Sequence, residues 1–186
     1  GTQNTAVGTY ALDAVQSGND NTALGYIALS NALGSQNTAL GSRALQDMGT
    51  GDDNTAIGYH ALHSNTTASD NTAVGSGALF ANTTGANNTA VGHNALDANT
   101  TGGSNTCIGR NSLGANTTGT ANSALGVSAL ENNTTASQNT AVGYFALLSN
   151  TTGASNTAVG SGALDSNTTA SFNTAVGKDT LQANTT

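Results

Sequence analysis

The residues of this chain that are able to do chemistry are few and scattered. His60 and His63 stand three positions apart and His93 lies further along. Two imidazoles can begin a metal site, but no cysteine or carboxylate sits at the spacing that would complete one. Asp52 and Asp53 are adjacent, and Asp70 follows Asp53 by 17 residues. Carboxylates brought side by side would repel and offer weak ligation to Ca²⁺. Tyr26, Tyr59 and Tyr144 supply rings on which a sugar could stack. Cys107 is the one thiol, so no intrachain disulfide can form. Asn-Thr-Thr recurs from Asn65 onward, and each occurrence is an N-glycosylation sequon. There is no glycine-rich phosphate loop, no metal-spaced Cys/His set and no Ser-His-Asp arrangement. The expectation is therefore no catalytic residue, no cofactor and no metal, in a protein that is not an enzyme. The histidines and tyrosines are expected on solvated surface, and Cys107 as a small packed residue.

What positions these residues is a repeat. The segment from Asn139 to Ser155, NTAVGYFALLSNTTGAS, is followed at once by NTAVGSGALDSNTTASF. Copies start at Asn4, Asn21, Asn37, Asn54, Asn71, Asn88, Asn105, Asn122, Asn139, Asn156 and Asn173, spaced by 17 residues except for one gap of 16 between Asn21 and Asn37. A fixed period of this size marks a stack of identical units forming one domain over residues 1–186. Positions within a copy are called slots here, counted from its first Asn. Slot 1 is always Asn, slot 4 always Val, Ile or Leu, slot 5 always Gly and slot 9 always Leu. Slot 2 is Thr except at Ser123, slot 3 is Ala except at Cys107, and slot 8 is Ala except at Ser112 and Thr180. Slots 6, 7 and 10 vary freely, and the histidines and Tyr26, Tyr59 and Tyr144 occupy them.

Composition narrows the partners. Charged residues make up only 7%, and ten Asp/Glu against three Lys/Arg give a net charge of −7. Arg43, Arg110 and Lys178 form no basic stripe, so nucleic acid is not expected as a partner. No apolar run approaches a membrane span, so membrane insertion is not expected either. The chain has no initiator Met and ends in mid-copy, as a processed product or a segment of a longer array would.

A copy of 17 residues is too short for the helix pair of a helical solenoid, which needs about 33 or more. It fits a β-coil, with a strand at slots 1–4, a turn on the slot 5 glycine, a second strand at slots 8–10 and a closing loop. The glycine predicts a positive φ. Coils stacked at ~4.8 Å make a parallel β-solenoid roughly 50 Å long. If slots 4 and 9 point inward, Val74, Val91, Leu79 and Leu96 are core and the alanines of slots 3 and 8 face outward, where something must pack on them. The alternative is that the alanines fill a very narrow interior. Slot 12 is Asn in the later copies, but Val15 and Met48 stand there earlier, which predicts a buried slot in which asparagines bond to one another up the stack. The slot 1 asparagines are read as a similar ladder or as turn caps.

Asn-Thr-Ala-Val-Gly resembles the Ser-x-Ala-Ile-Gly of the repeat in trimeric autotransporter adhesin heads. The longer string NTAVGYFALLSNTTG is similar to the repeat arrays of bacterial and phage tail-fibre-like proteins that carry a C-terminal self-cleaving chaperone domain. That second resemblance covers almost the whole chain. It implies an all-β, left-handed parallel β-roll of eleven coils, three identical chains packed side by side, and a fibre exposed on a cell surface or virion. The function it implies is a structural and adhesive shaft or head, acting on a surface receptor or glycan. With the outward alanine columns, it predicts a parallel homotrimer joined along Ala73, Ala90 and Ala141 or Ala78 and Ala95. The alternative is an ice-binding solenoid that uses a flat face of Thr, Ala and Asn, with threonine columns at slots 2, 13 and 14.

Overall fold

The computed structural model describes residues 1–14 and 17–184. Each copy contributes one three-residue strand: β1 (Thr5–Val7), β2 (Thr22–Leu24), β3 (Thr38–Leu40), β4 (Thr55–Ile57), β5 (Thr72–Val74), β6 (Thr89–Val91), β7 (Thr106–Ile108), β8 (Ser123–Leu125), β9 (Thr140–Val142), β10 (Thr157–Val159) and β11 (Thr174–Val176). They pair in chain order into one eleven-stranded sheet, every pair parallel and in the same register, with Thr72 opposite Thr89 and Ala73 opposite Ala90. The protein is an all-β parallel solenoid. The 16-residue copy leaves this register intact, Thr22 facing Thr38. Its missing residue is absorbed in the closing loop, where Asn21 Nδ2 donates to Gly34 O (2.9 Å) as Asn37 Nδ2 does to Gly51 O (3.0 Å) one residue further along its own coil.

The rest of each coil differs from expectation. Slots 8–10 form no second strand; among the described residues slots 6–11 are turns. In the fifth coil, Ala78 N donates to Gly75 O (3.3 Å), Phe80 N to Gly77 O (3.3 Å) and Asn82 N to Leu79 O (3.2 Å). Residues between these local bonds tie the coils together, Gly77 N reaching back to Tyr59 O (2.9 Å) and Leu79 N forward to Ala95 O (3.0 Å). Backbone groups are thus paired without a second sheet.

The predicted positive φ holds at all eleven slot 5 glycines, from 125° at Gly8 to 142° at Gly25. At Gly92 a Cβ would also lie 2.5 Å from Gly109 O, so stacking and dihedral both demand glycine there. Three further slots take the left-handed conformation without glycine: in the sixth coil Asn94 has φ 51°, Leu96 54° and Ser104 60°. Leucine in this region costs roughly 1–2 kcal/mol. Full burial of its side chain contributes about 1.5–3 kcal/mol, and that gain decides the conformation at slot 9.

The faces are the main correction. Leu79 and Leu96 are fully buried as expected, but Val74 and Val91 are only half-buried. Slot 4 points outward, with Leu24, Leu40, Ile108, Leu125 and Val159 all exposed. The alanines point inward: Ala73, Ala90, Ala141, Ala78 and Ala95 are 0% exposed. The strand alternates as expected but in the opposite phase, because the coil is narrow enough that only a small side chain, Ala or in one coil Cys107, fits at slot 3. A contact between chains through the alanine columns is therefore excluded by their burial. Beside the small residues of slots 3 and 8 and the leucine of slot 9, the interior of the coils from the fourth to the tenth holds two asparagines.

Those asparagines form two ladders, the one expected at slot 12 and, of the two readings open at slot 1, the ladder. At slot 1, Asn88 N donates to Asn71 Oδ1 (3.0 Å) and Asn105 N to Asn88 Oδ1 (2.9 Å). At slot 12, Asn99 Nδ2 donates to Asn82 Oδ1 (2.8 Å) and Asn116 Nδ2 to Asn99 Oδ1 (3.0 Å). The ladders meet at slot 15, where Gly102 O accepts both Asn88 Nδ2 and Asn99 Nδ2 at 2.9 Å. One carbonyl with two lone pairs so clamps the closing loop to the start of its own coil. The ladder amides are satisfied, which removes the penalty that burial would otherwise impose. Met48, fully buried, begins the slot 12 ladder, with Asn65 Nδ2 3.3 Å from its sulfur; Val15 lies outside the described residues.

Candidate functional site

Two surfaces are built regularly enough to act on something. The first is the outer face of the sheet. Slots 2 and 4 are two residues apart on one strand, so both side chains project from the same side. Threonine and an aliphatic residue therefore run as two parallel columns up eleven strands. The only other residue type in these columns is Ser123, and neither column carries a charge in any copy. Exposure of the aliphatic column reaches 57% at Val7 and 68% at Val176 near the ends and stays at 47% at Leu125 within the array. The column is half-buried at Ile57, Val74, Val91 and Val142 and exposed at its other members, and an outward apolar stripe of this kind marks an interaction surface. The lack of charge at slots 2 and 4 is the sequence signal of this face, and it is the same signal that burial would give.

The second surface is the ridge of slots 6, 7 and 10. Tyr26, Tyr59 and Tyr144 are all exposed there, but they belong to coils 2, 4 and 9 and form no continuous stripe. Each instead starts a local ring contact. Tyr10 meets Tyr26 edge-on at 6.3 Å, and Tyr144 stacks on Phe145 at 3.8 Å. Tyr59 stacks on His60 at 4.0 Å, His60 lies 4.8 Å from His63, and both imidazoles stack on Phe80, at 5.6 and 5.1 Å. The expected solvated histidines are thus half-buried in a ring cluster at His60 and His63, while His93 is exposed. Burial, and then the neighbouring His63 and Arg43, hold the His60 imidazole below its ordinary range. Its Nε2 is buried with no hydrogen-bond partner. His63 Nδ1 lies 3.6 Å from an Asp47 carboxylate oxygen.

The remaining chemical candidates are not brought together. Among the described residues no three His, Cys, Asp or Glu side chains are placed to hold a metal ion. Asp52, Asp53 and Asp70 are exposed, and Asp52 Oδ1 accepts the backbone N–H of Ser35 at 2.7 Å. Cys107 is fully buried, and desolvation pushes its thiol far up, out of the reactive range. The slot 12 sequon asparagines from Asn65 to Asn167 are 0% exposed, with their amides committed to the ladder, so in the folded protein they are closed to glycosylation. Slot 13 threonines are also committed: Thr83 Oγ1 donates to Thr100 O at 2.9 Å and Thr100 Oγ1 to Thr117 O at 3.0 Å.

No helix among the described residues is long and apolar enough to cross a membrane. No family model, no curated protein and no solved structure matches the chain.

Proposed function

We propose that this chain is a structural and adhesive module of a surface or tail fibre, a left-handed rod that assembles with two further copies in parallel. The supporting observation is the uncharged column of slot 4 aliphatics along the outer face of the sheet. Water contact along that column is unfavourable at about 25 cal/mol per Å² of apolar surface. An identical chain in parallel matches the column coil for coil, because both have the same period. The motif resemblance supports three chains rather than two, and an extracellular or virion setting. The rod then acts as a shaft or head, leaving the variable ridge of slots 6, 7 and 10 for a receptor.

Light scattering coupled to size exclusion tests this. The expected mass is three times the 18.1 kDa of one chain. Replacing Val74 and Val91 together by Lys is expected to reduce it to one. A mass of one chain for the unaltered protein at micromolar concentration overturns the reading.

A second reading is supported by the same face. Threonine and aliphatic columns repeating at ~4.8 Å on a parallel sheet in one register are a regular, uncharged array of the kind that can order water against ice. The threonines concerned are those of slot 2, since slot 13 is bonded within the coil. Thermal hysteresis in the single-chain state, lost on changing Thr89 and Thr106 to Lys, is the outcome that would favour it.

A further inference from the structure

Two stretches of the ridge share one plan and differ in the ring at slot 7. In coil 9 Tyr144 and Phe145 fill slots 6 and 7, their rings stacked at 3.8 Å with 25° between the planes, and slot 7 of coil 10 is Gly162. In coil 4 Tyr59 and His60 fill the same slots, stacked at 4.0 Å and 28°, and slot 7 of coil 5 is Gly77. The backbone is alike as well. Phe145 has φ 60° and His60 φ 57°, and Gly162 N donates to Tyr144 O at 2.9 Å as Gly77 N does to Tyr59 O. His60 thus stands where a phenyl ring serves in coil 9, and what it adds is a group that can take up a proton.

The ring contacts of His60 cross from one coil to the next. Phe80 of coil 5 lies 5.6 Å from His60 with 10° between the planes, and His63 lies 4.8 Å from His60 and 5.1 Å from Phe80. The backbone bonds from Gly77 N to Tyr59 O and from Ser64 N to Phe80 O (3.1 Å) join the same two coils. Nothing in these surroundings receives a proton on His60. Its Nε2 is buried without a hydrogen-bond partner. The charged groups that act on it are His63 of its own coil and Arg43 of coil 3, and each disfavours a cation there. The Asp47 carboxylate of coil 3 lies instead against His63, 3.6 Å from its Nδ1. Coil 5 brings no charge, since its slots 6, 7, 10 and 11 are Ser76, Gly77, Phe80 and Ala81. A cation over a ring face gains a little, but a desolvated N–H with no acceptor loses more.

We infer that this ring stack is a pH-operated latch, which fastens coil 4 to coil 5 along the ridge while His60 is neutral and opens when His60 takes up a proton. A histidine held below its ordinary value near 6.5 contributes stability that is complete above that value. The contribution is lost as the pH falls through the lower, folded-state range. Opening is local, because the interior of these coils does not titrate: Leu62, Leu79, Asn65 and Asn82 are all 0% exposed. The rod therefore persists while the ridge changes at one place, releasing the rings of Tyr59, His60 and Phe80. Coils 9 and 10, with Phe145 at slot 7 and Leu148 at slot 10, carry the same plan without the titrating groups. The latch works within one chain and is independent of the fibre reading.

The test is an NMR titration of the whole chain from pH 7.5 to 5, reading the histidine ring resonances and amide hydrogen exchange corrected for its intrinsic pH dependence. The His60 ring is expected to titrate below 6.5, with the Phe80 ring resonances moving along the same curve. Over that range the amides of Gly77 and Ser64 are expected to lose protection by about threefold or more. Their equivalents Gly162 and Ser149, bonded to Tyr144 O and Asp165 O, are expected to keep theirs. His60→Phe installs the residue that coil 9 carries and is expected to retain the parent melting temperature at pH 7.5 and abolish the loss at pH 5. His63→Leu, which follows Leu148, is expected to retain the response and raise the pH at which His60 titrates, since one like charge is gone. Titration of His60 at or above 6.5 in the unaltered chain, an equal loss of protection in coils 9 and 10, or a response that survives His60→Phe would each overturn the inference. So would a response that disappears in His63→Leu.

Discussion

Slots 4 and 9 hold the two large hydrophobes of every coil, and they lie on opposite sides of the wall. Leu96 is fully buried while Val91, five residues earlier, is half-buried, and its neighbour in the column, Ile108, is 43% exposed. The strand explains the first half of the difference. In Thr89-Ala90-Val91 the side chains alternate, so either Ala90 or its two neighbours must face the interior. Thr89 and Val91 together would place two branched side chains and a hydroxyl in a coil already occupied by Leu96, Asn88 and Asn99. The methyl of Ala90 fits and leaves no polar group unpaired. The turn explains the second half. Leu96 has a positive φ of 54°, and at that position the chain directs its side chain inward despite the conformational cost. Uniform apolar character thus has two physical causes here, filling the core at slot 9 and covering or presenting a face at slot 4.

The comparison can be broken most forcefully at Leu96. Its replacement by Ala is expected to cost about 2–5 kcal/mol, as for a large side chain removed from a core that cannot collapse, and urea denaturation measures it. A loss below about half a kcal/mol would put Leu96 in the same class as a surface residue.

The next expected effect is at the ladder that frames the core. Asn99→Ala removes the donor to Asn82 Oδ1 and Gly102 O and the acceptor of Asn116 Nδ2. A buried group left unpaired costs about 1–3 kcal/mol, so a loss of that order is predicted by the same measurement, with faster hydrogen exchange in the closing loops of the adjoining coils. Unchanged stability would mean that water replaces the amide and that the interior is less dry than its burial indicates.

The smallest effect sharpens the comparison from the other side. Val91→Thr keeps the shape of the side chain and adds a hydroxyl on the outer face. On a bare face the change in stability should stay within about half a kcal/mol. A larger loss that grows with protein concentration would show that the slot 4 column is covered by another chain, as the fibre reading requires.

The candidate surfaces were legible to different degrees. The ridge of slots 6, 7 and 10 followed from the freedom of those slots to vary, and the solenoid axis brings their residues into columns. The ring cluster was not legible as a cluster. His60 and His63 were seen as neighbours, but Phe80 joins them only through stacking of adjacent coils. Tyr26, Tyr59 and Tyr144 share a slot, yet the coils between them keep their rings apart.

By itself the sequence determined the period, the parallel stack, the glycine turn and the slot 12 asparagine ladder. Each of these follows from one residue type recurring at one spacing, and a chain with such a period can satisfy its backbone by stacking on itself. Which way the strand faces was decided only by the tertiary structure. Alternation tells that slots 3 and 4 lie on opposite sides, but the width of the closed coil selects the side. That width is set by Leu at slot 9 and by two asparagines converging on one carbonyl at slot 15. These contacts exist only once the loop has closed, so the phase of the strand, and with it the exposed apolar face, was settled by packing rather than by pattern.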